Sequence, residues 1–425
     1  LIVFFITLVI AILSGLIFLI PSVPIKYIKI HLYLIVLPII ISVIGLLNVS
    51  DREQIGPFTM DHLAWLMGSF ILILGFIIQK FSVRYLIGDR NYRKYFPLFT
   101  LITSFASIAW LSGDLRLMVL FWGATLLSLT LLIRVNRSWK IPYEAAKVSG
   151  KSFALGWLSL LVAVILLYVA TGNWHINVTL ANDDVITSGM RFIIDMLIVL
   201  AVIVPAAQFP FQSWLIESVA APTPVSAIMH AGIVNAGGII LTRFSPVFND
   251  PLAITILLII ASISVLLGSG ISLVHVDYKR QLVGSTMSQM GFMLVQCALG
   301  VYSAAIIHLI LHGVFKATLF LQSGSVVKRF NIPIPPSAKR SYSWVVLGRC
   351  LAIIIAILFW LGSDRSAYEI LSALILAWSL MVSWNQMVAF SRGLIGRVIG
   401  IIMIVIVALV YIVTPVSYTH LRAHE

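Results

Sequence analysis

The stretch HLILHGVFKATLFLQSGSVVK (308–328) decides how this chain is read. It is apolar enough to lie in lipid, yet it carries His308, His312 and Lys316. An ionised side chain at the centre of a membrane helix costs about 2.5–3.5 kcal/mol on insertion scales, so such groups are kept mainly to hold or move charge. The three positions are spaced i, i+4 and i+8. On a helix each step of four advances only about 40° past a full turn, so the three line one stripe about 12 Å long. Histidine titrates near neutrality and a buried lysine loses its proton more easily than a free one, so the row suits proton relay. A single histidine in such a span more often only bridges two helices by a hydrogen bond; the alignment of three groups is what favours conduction.

Working outward, two further stretches place polar groups in apolar surroundings: PFQSWLIESVAAPTPVSAIMHAGIVNAGG (210–238) and VDYKRQLVGSTMSQMGF (276–292). Pro205, Pro210, Pro222 and Pro224 crowd a region that should cross or re-enter the membrane. Proline removes a backbone donor and clashes with the preceding turn, so an interrupted helix is expected, of the kind transporters place at ion sites. Thr223 and Ser226 are available to satisfy the freed backbone, and Asn235 to support His230. His230 is a candidate relay to the Lys316 row, and Lys279 is either a second relay or an anchor at the membrane surface. Glu217 is a candidate partner for Lys279, Asp277 for either Lys279 or Arg280, and Asp195 for Arg191 one turn before it. A second polar break is expected at Gly362, Ser363, Asp364 and Arg365.

The whole chain has the composition these stretches suggest. It is 60% hydrophobic and 10% charged over 425 residues, against about 25% charged in soluble domains. Fourteen apolar segments run from 2–20 to 394–414, each near the length needed to cross about 30 Å of hydrocarbon as a helix. The fold expected is therefore all-α and polytopic, with about fourteen transmembrane helices. The net charge of +13 is not a nucleic-acid signal. Lys26 and Lys29, the clusters from Lys80 to Lys94 and from Arg134 to Lys151, Lys279 and Arg280, Lys328 to Arg340, and Arg392 and Arg397 all fall in alternate connections. The positive-inside rule reads this as an even number of spans with both termini on the non-cytoplasmic side of a bacterial inner membrane. The loop at 134–151 is expected to be helical along the membrane surface.

Cys297 and Cys350 have no partner spacing for a disulfide or a metal, and no nucleotide-binding, metalloprotease or nucleophile motif appears. No catalytic residues, metal ligands or cofactor are expected in this chain. No cleavable leader is expected at the N-terminus. Leu1 in place of Met suggests a trimmed start, and the abrupt SYTHLRAHE ending suggests a non-native tail at 416–425 with a continuation missing.

Pro210 with Trp214 and Pro222–His230, then Asp277–Arg280 with Ser285–Gly291, then His308, His312 and Lys316, together resemble the antiporter-like membrane subunits of respiratory complex I and of multisubunit cation/proton antiporters. The resemblance covers roughly residues 60–330. It implies two inverted five-helix repeats with broken helices, placed at 97–243 and 253–391, after N-terminal helices at 1–96 and before a last helix at 394–415. It also implies an ion or proton pathway through His230, Lys279, His308, His312 and Lys316, with Glu217 as the paired carboxylate. Two departures stand out. Gly123 follows Trp122 where pumping members of the family carry an acid, and Pro205 and Ala206 stand where they carry a lysine. HAGIVNAGGIILTRFSPVF (230–248), FWGAT (121–125) and SVRYLIGD (82–89) are similar to a narrower branch, the membrane subunits of DAB-type inorganic-carbon accumulation systems. That likeness implies a large zinc-dependent, carbonic-anhydrase-like partner subunit holding the zinc, with H+ or Na+ flow through this chain energising CO2 hydration to bicarbonate. Two other readings stay open: a proton-translocating complex I-type or antiporter subunit, and a non-conducting scaffold for a catalytic partner.

Overall fold

The computed structural model of the chain describes residues 1–49, 53–136, 140–181, 185–323 and 342–361, with scattered positions between 370 and 401. The expected polar break at Gly362–Arg365, the basic loop at 328–340, most of the last expected span and the tail at 416–425 lie outside these residues. The chain divides into two compact units, Leu1–Val327 and Lys328–Glu425.

Among the described residues ten helices are long and apolar enough to cross a membrane, so the chain is an all-α polytopic membrane protein. In the first unit the chain runs through α1 (Ile2–Leu16), α2 (Ile28–Asn48), α3 (His62–Tyr85), α4 (Tyr92–Leu111), α5 (Leu115–Ile133) and α6 (Lys140–Thr171). It continues through the short α7 (Ile176–Ala181), α8 (Ser188–Ile203), α9 (Ser213–Glu217), α10 (Thr223–Ala231), α11 (Ala236–Phe244), α12 (Pro251–Val274), α13 (Tyr278–Ala298) and α14 (Tyr302–Ser323). A small hairpin, β1 (Glu53–Ile55) and β2 (Phe58–Met60), was not anticipated. Phe58 of the hairpin pairs with Ser112, and Asp114 pairs with His175, which gathers three connections on one face of the bundle. The opposite face collects the Lys26, Lys80–Lys94, Arg134 and Lys279 connections. These are called the hairpin face and the basic face below.

Aspartates set several helix starts. Asp61, Asp114, Asp250 and Asp277 each precede a helix and accept its first free amides: Ala64 at 2.7 Å, Arg116 at 2.8 Å, Leu252 and Ala253 at 3.0 Å each, and Lys279 at 2.8 Å. Such caps satisfy donors that the helix itself leaves open.

The surface helix expected at 134–151 is instead, from Lys140, the start of α6, one continuous helix of 32 residues. The reason is local. Pro142 sits in the first turn, where its missing N–H breaks no intrahelical bond, and Gly150 alone does not stop a helix.

The interruption expected near Pro205 is present, between α8 and α10. The freed backbone is met by protein. The Trp214 indole donates to the Val204 carbonyl at 2.9 Å, the Gln208 amide to Ile203 at 2.9 Å, and the Phe209 amide to Ser264 Oγ at 2.9 Å. Thr223 and Ser226 do not perform the task expected of them. Thr223 takes the Tyr85 hydroxyl at 3.1 Å, and Ser226 Oγ has no partner. A second interruption falls at Gly232, between α10 and α11, where Asn235 Nδ2 donates to the Ala231 carbonyl at 2.7 Å. Asn235 therefore closes this break and does not support His230.

In the second unit, α15 (Tyr342–Leu361) packs on Ala373, Ala377, Leu380 and Trp384, and the Trp384 indole donates to the Trp344 carbonyl at 2.7 Å.

Candidate ion pathway

Four of the six residues singled out from the sequence lie together. His308, His312 and Lys316 stand on α14, His308 and Lys316 bonded to α13, and His230 reaches the same seam from α10. His230 and Lys316 are fully buried, His312 is 5% exposed and His308 is half-buried.

The contacts are directional. Thr286 spends its hydroxyl proton on the Leu282 carbonyl at 2.9 Å, so its oxygen accepts from His230 Nδ1 at 3.2 Å. The His230 ring stacks on Phe320 with centroids 4.3 Å apart, and its Nε2 has no partner. Lys316 Nζ donates to the Leu282 carbonyl at 3.0 Å and to Ser285 Oγ. His308 Nδ1 donates to Gln296 Oε1 at 3.1 Å. The His308 and His312 rings are 6.0 Å apart edge to face, and His312 Nε2 is buried without a partner.

Lys279 is half-buried at the basic end of α13, with Nζ donating to the Ala221 carbonyl at 3.1 Å, just before α10. From Lys279 to Gln296 is 17 residues of α13, about 26 Å at 1.5 Å per residue, most of a hydrocarbon core of about 30 Å. The polar file thus runs nearly from face to face. A methyl at Gly313 would lie 2.8 Å from the Ala231 carbonyl, so α14 passes directly against the Gly232 break.

Glu217 is not part of this arrangement. It is exposed at the end of α9, and among the described residues no ion pair joins it to Lys279. Asp277 caps α13 through backbone amides, not by pairing with the ammonium or guanidinium beside it. Asp195 is buried and accepts the Asn249 and Asp250 amides at 3.2 and 2.9 Å, while Arg191 donates to the Asn249 side chain at 3.0 Å, so the two meet on the α11–α12 connection.

The place after Trp122 is filled by an indole. A side chain on Gly123 would overlap Trp157, whose Nε1 donates to the Val119 carbonyl at 2.9 Å. A Cβ on Gly156 would lie 3.1 Å from the Pro205 ring.

Sequence reasoning missed Gln296 and the Leu282 carbonyl, and quoted Ser285 and Thr286 within a motif without giving them a place in the site. Thr286 lies seven residues, two helical turns, beyond Lys279, a signal that a helical plot of α13 would have shown. It also missed the Arg243–Asp61 ion pair near the hairpin face. Arg243 Nη2 donates to Asp61 Oδ1 at 3.0 Å and to the Trp110 carbonyl at 3.1 Å, and Nη1 to Asp61 Oδ2.

Interrupted spans beside a buried histidine–lysine file define an antiporter-like membrane subunit. Residues 112–400 match the family model described as NADH:quinone oxidoreductase/Mrp antiporter, transmembrane, and residues 56–96 match that of the complex I chain 5 N-terminus. The chain belongs to this NADH:quinone oxidoreductase/Mrp antiporter family. It is 58% identical to the probable inorganic carbon transporter subunit DabB of Bacillus subtilis, over 96% of this chain and 82% of that one. It is 55% identical to the Bacillus anthracis protein of the same name, over 96% and 80%. A chloroplast NAD(P)H-quinone oxidoreductase subunit 5 from Nymphaea alba is 31% identical over 70% of this chain and 41% of its own length. The fold is shared with a chain of the Mrp complex from a Dietzia species, with TM-score 0.70 and 24% identity over 95% of this chain and 45% of that one. It is also shared with a chain of an archaeal membrane-bound sulfane sulfur reductase, with TM-score 0.70 and 18% identity over 98% and 94%.

Proposed function

We propose that this chain is the cation-conducting membrane subunit of an inorganic-carbon accumulation complex, passing H+ or Na+ along the α13–α14 file. The observation that carries the reading is the file itself: His308, His312, Lys316 and His230, closed against Gln296, Thr286 and Leu282, with Lys279 about 26 Å from Gln296 along α13. The unpartnered Nε2 atoms of His230 and His312 are places where a bridging water would be held. Lys279 would exchange ions with the basic face, which on the positive-inside rule would lie toward the cytoplasm of a bacterial inner membrane.

Ion flow would energise a partner of carbonic-anhydrase type that carries its own zinc, and this chain itself would act without cofactor or catalysis. What supports the inorganic-carbon branch is the similarity to the DabB proteins. The complex I-type or antiporter reading keeps the same file and is favoured only by the more distant quinone oxidoreductase relatives.

Replacing Lys316 by Ala tests the reading in cells that depend on this system for bicarbonate. Accumulation should be lost while the variant still copurifies with its partner. Wild-type accumulation would remove the file from the mechanism, and failure to copurify would be met with Lys316→Met, which keeps the length of the side chain.

A further inference from the structure

Thr223 and Ser226 are left without the backbone task expected of them, yet they line up with His230. From this row we infer that the file has a second mouth on the basic face: Tyr85, Thr223 and Ser226 carry ions to His230 along α10, independently of Lys279. The inference rests on the conduction reading above and extends it to residues outside the α13–α14 file.

Thr223, Ser226 and His230 are spaced i, i+3 and i+7, so they lie on one face of α10 over about 10 Å. Each is buried, with at most 1% of its surface exposed. At the outer end the Tyr85 hydroxyl donates to Thr223 Oγ1 at 3.1 Å. Tyr85 is the last residue of α3, beside Arg84, and is 38% exposed, so the row opens on the basic face.

In the middle of the row, Ser226 departs from the habit of buried helical hydroxyls. Ser107 and Thr286 donate to the carbonyls four residues earlier, at 2.8 and 2.9 Å. Ser226 Oγ makes no such bond and has no partner, which is unfavourable for a buried hydroxyl unless water meets it. At the inner end His230 Nδ1 donates to Thr286 Oγ1, and Nε2 has no partner. Ser226 and His230 are one turn apart, about 6 Å along the axis, a gap that one water can bridge. Hydroxyls accept as well as donate, so the row can solvate a cation or hand on a proton by rotation alone.

Both mouths meet one joint. Lys279 Nζ reaches the Ala221 carbonyl from α13 at 3.1 Å, and Tyr85 reaches Thr223 from α3, with only Pro222 between. From there Lys279 leads along α13 to Thr286 and Thr223 leads along α10 to His230. The His230–Thr286 bond at 3.2 Å joins the two routes.

The test uses the full chain, copurified with its native partners and reconstituted into liposomes. An internal pH dye and tracer sodium are followed together, so that either ion is read. Lys279→Ala closes one mouth and should roughly halve the wild-type flux. Ser226→Ala removes no bond within the protein, and by itself it should also roughly halve the flux. Combining Lys279→Ala with Ser226→Ala or with Tyr85→Phe should abolish it. If Lys279→Ala fails to copurify, Lys279→Met takes its place. Double variants as conductive as Lys279→Ala overturn the second mouth and leave the file in place. Complete loss in either single variant does the same, since two independent routes cannot both fail at once. No flux of either ion through the wild-type complex overturns the conduction reading, and the second mouth falls with it.

Discussion

Lys316 and Thr286, on different helices, end on one acceptor: the Leu282 carbonyl takes the Lys316 ammonium at 3.0 Å and the Thr286 hydroxyl at 2.9 Å. Through Thr286 the same carbonyl is one bond removed from His230. Replacing Thr286 by Val keeps the shape and removes the bridge. A hydrogen bond of about 1 kcal/mol corresponds to a roughly fivefold to tenfold drop in ion flux, with assembly unchanged. Flux equal to wild type in reconstituted vesicles would show that His230 and Lys316 are not coupled through this bond.

The Arg243–Asp61 pair holds the start of α3 to the end of α11, and Arg243 also reaches the α4 carbonyl of Trp110. Both side chains are nearly buried, at 10% and 11% exposure. Arg243→Met leaves Asp61 charged without its guanidinium, and removing one partner of a buried pair costs about 3 kcal/mol. The variant should melt earlier in detergent, and adding Asp61→Asn should recover part of the loss. Equal melting of wild type and Arg243→Met would contradict this.

Gly123→Glu would place an acid after Trp122, as the resemblance implies for pumping members of the family, but it should not create a working site. Its side chain meets Trp157. Overpacking of this kind costs about 1–3 kcal/mol, before any charge is buried. Lower yield of folded protein is expected, relieved by combining it with Trp157→Ala; normal yield of the single variant would argue that the helices part easily there.

On the hairpin face, the Arg116 guanidinium holds the Asp114 carboxyl below the usual carboxylate range, against a smaller opposing effect of burial. A folded-state value below the unfolded one means that the stabilisation is present above the unfolded pKa of about 3.9 and is lost as pH falls through the folded value. Asp114→Ala removes the α5 cap, worth about 1 kcal/mol, at neutral pH. Hydrogen exchange of the first amides of α5 should therefore quicken in Asp114→Ala at pH 7, and in wild type only on strong acidification. Identical exchange in the two proteins at pH 7 would count against the cap.

The helical stripe of His308, His312 and Lys316 was legible because spacing along one helix fixes relative direction, whatever that helix packs against. The interruption near Pro205 was legible for a similar reason, since proline chemistry is local. The pairings assigned to Glu217 and Asp277 were not. Both are acids near cations in sequence, and sequence proximity does not say whether a carboxylate will meet a side chain, an exposed backbone amide or water. For Asp277 the amides of the next helix won. The loop at 134–151 was read as helical along the membrane surface, and nothing in its backbone chemistry from Lys140 onward separates it from the span that follows.

What the sequence determined by itself is the solvent and the secondary structure: long apolar runs leave the backbone no partner but its own helix, and basic loops sort the two faces. What only the tertiary structure decided is which polar groups meet. Gln296 oriented on His308, Leu282 shared by Lys316 and Thr286, Trp157 seated against Gly123, and Arg243 closed on Asp61 all join residues on different helices. Their distances depend on how helices cross, which no single helix encodes.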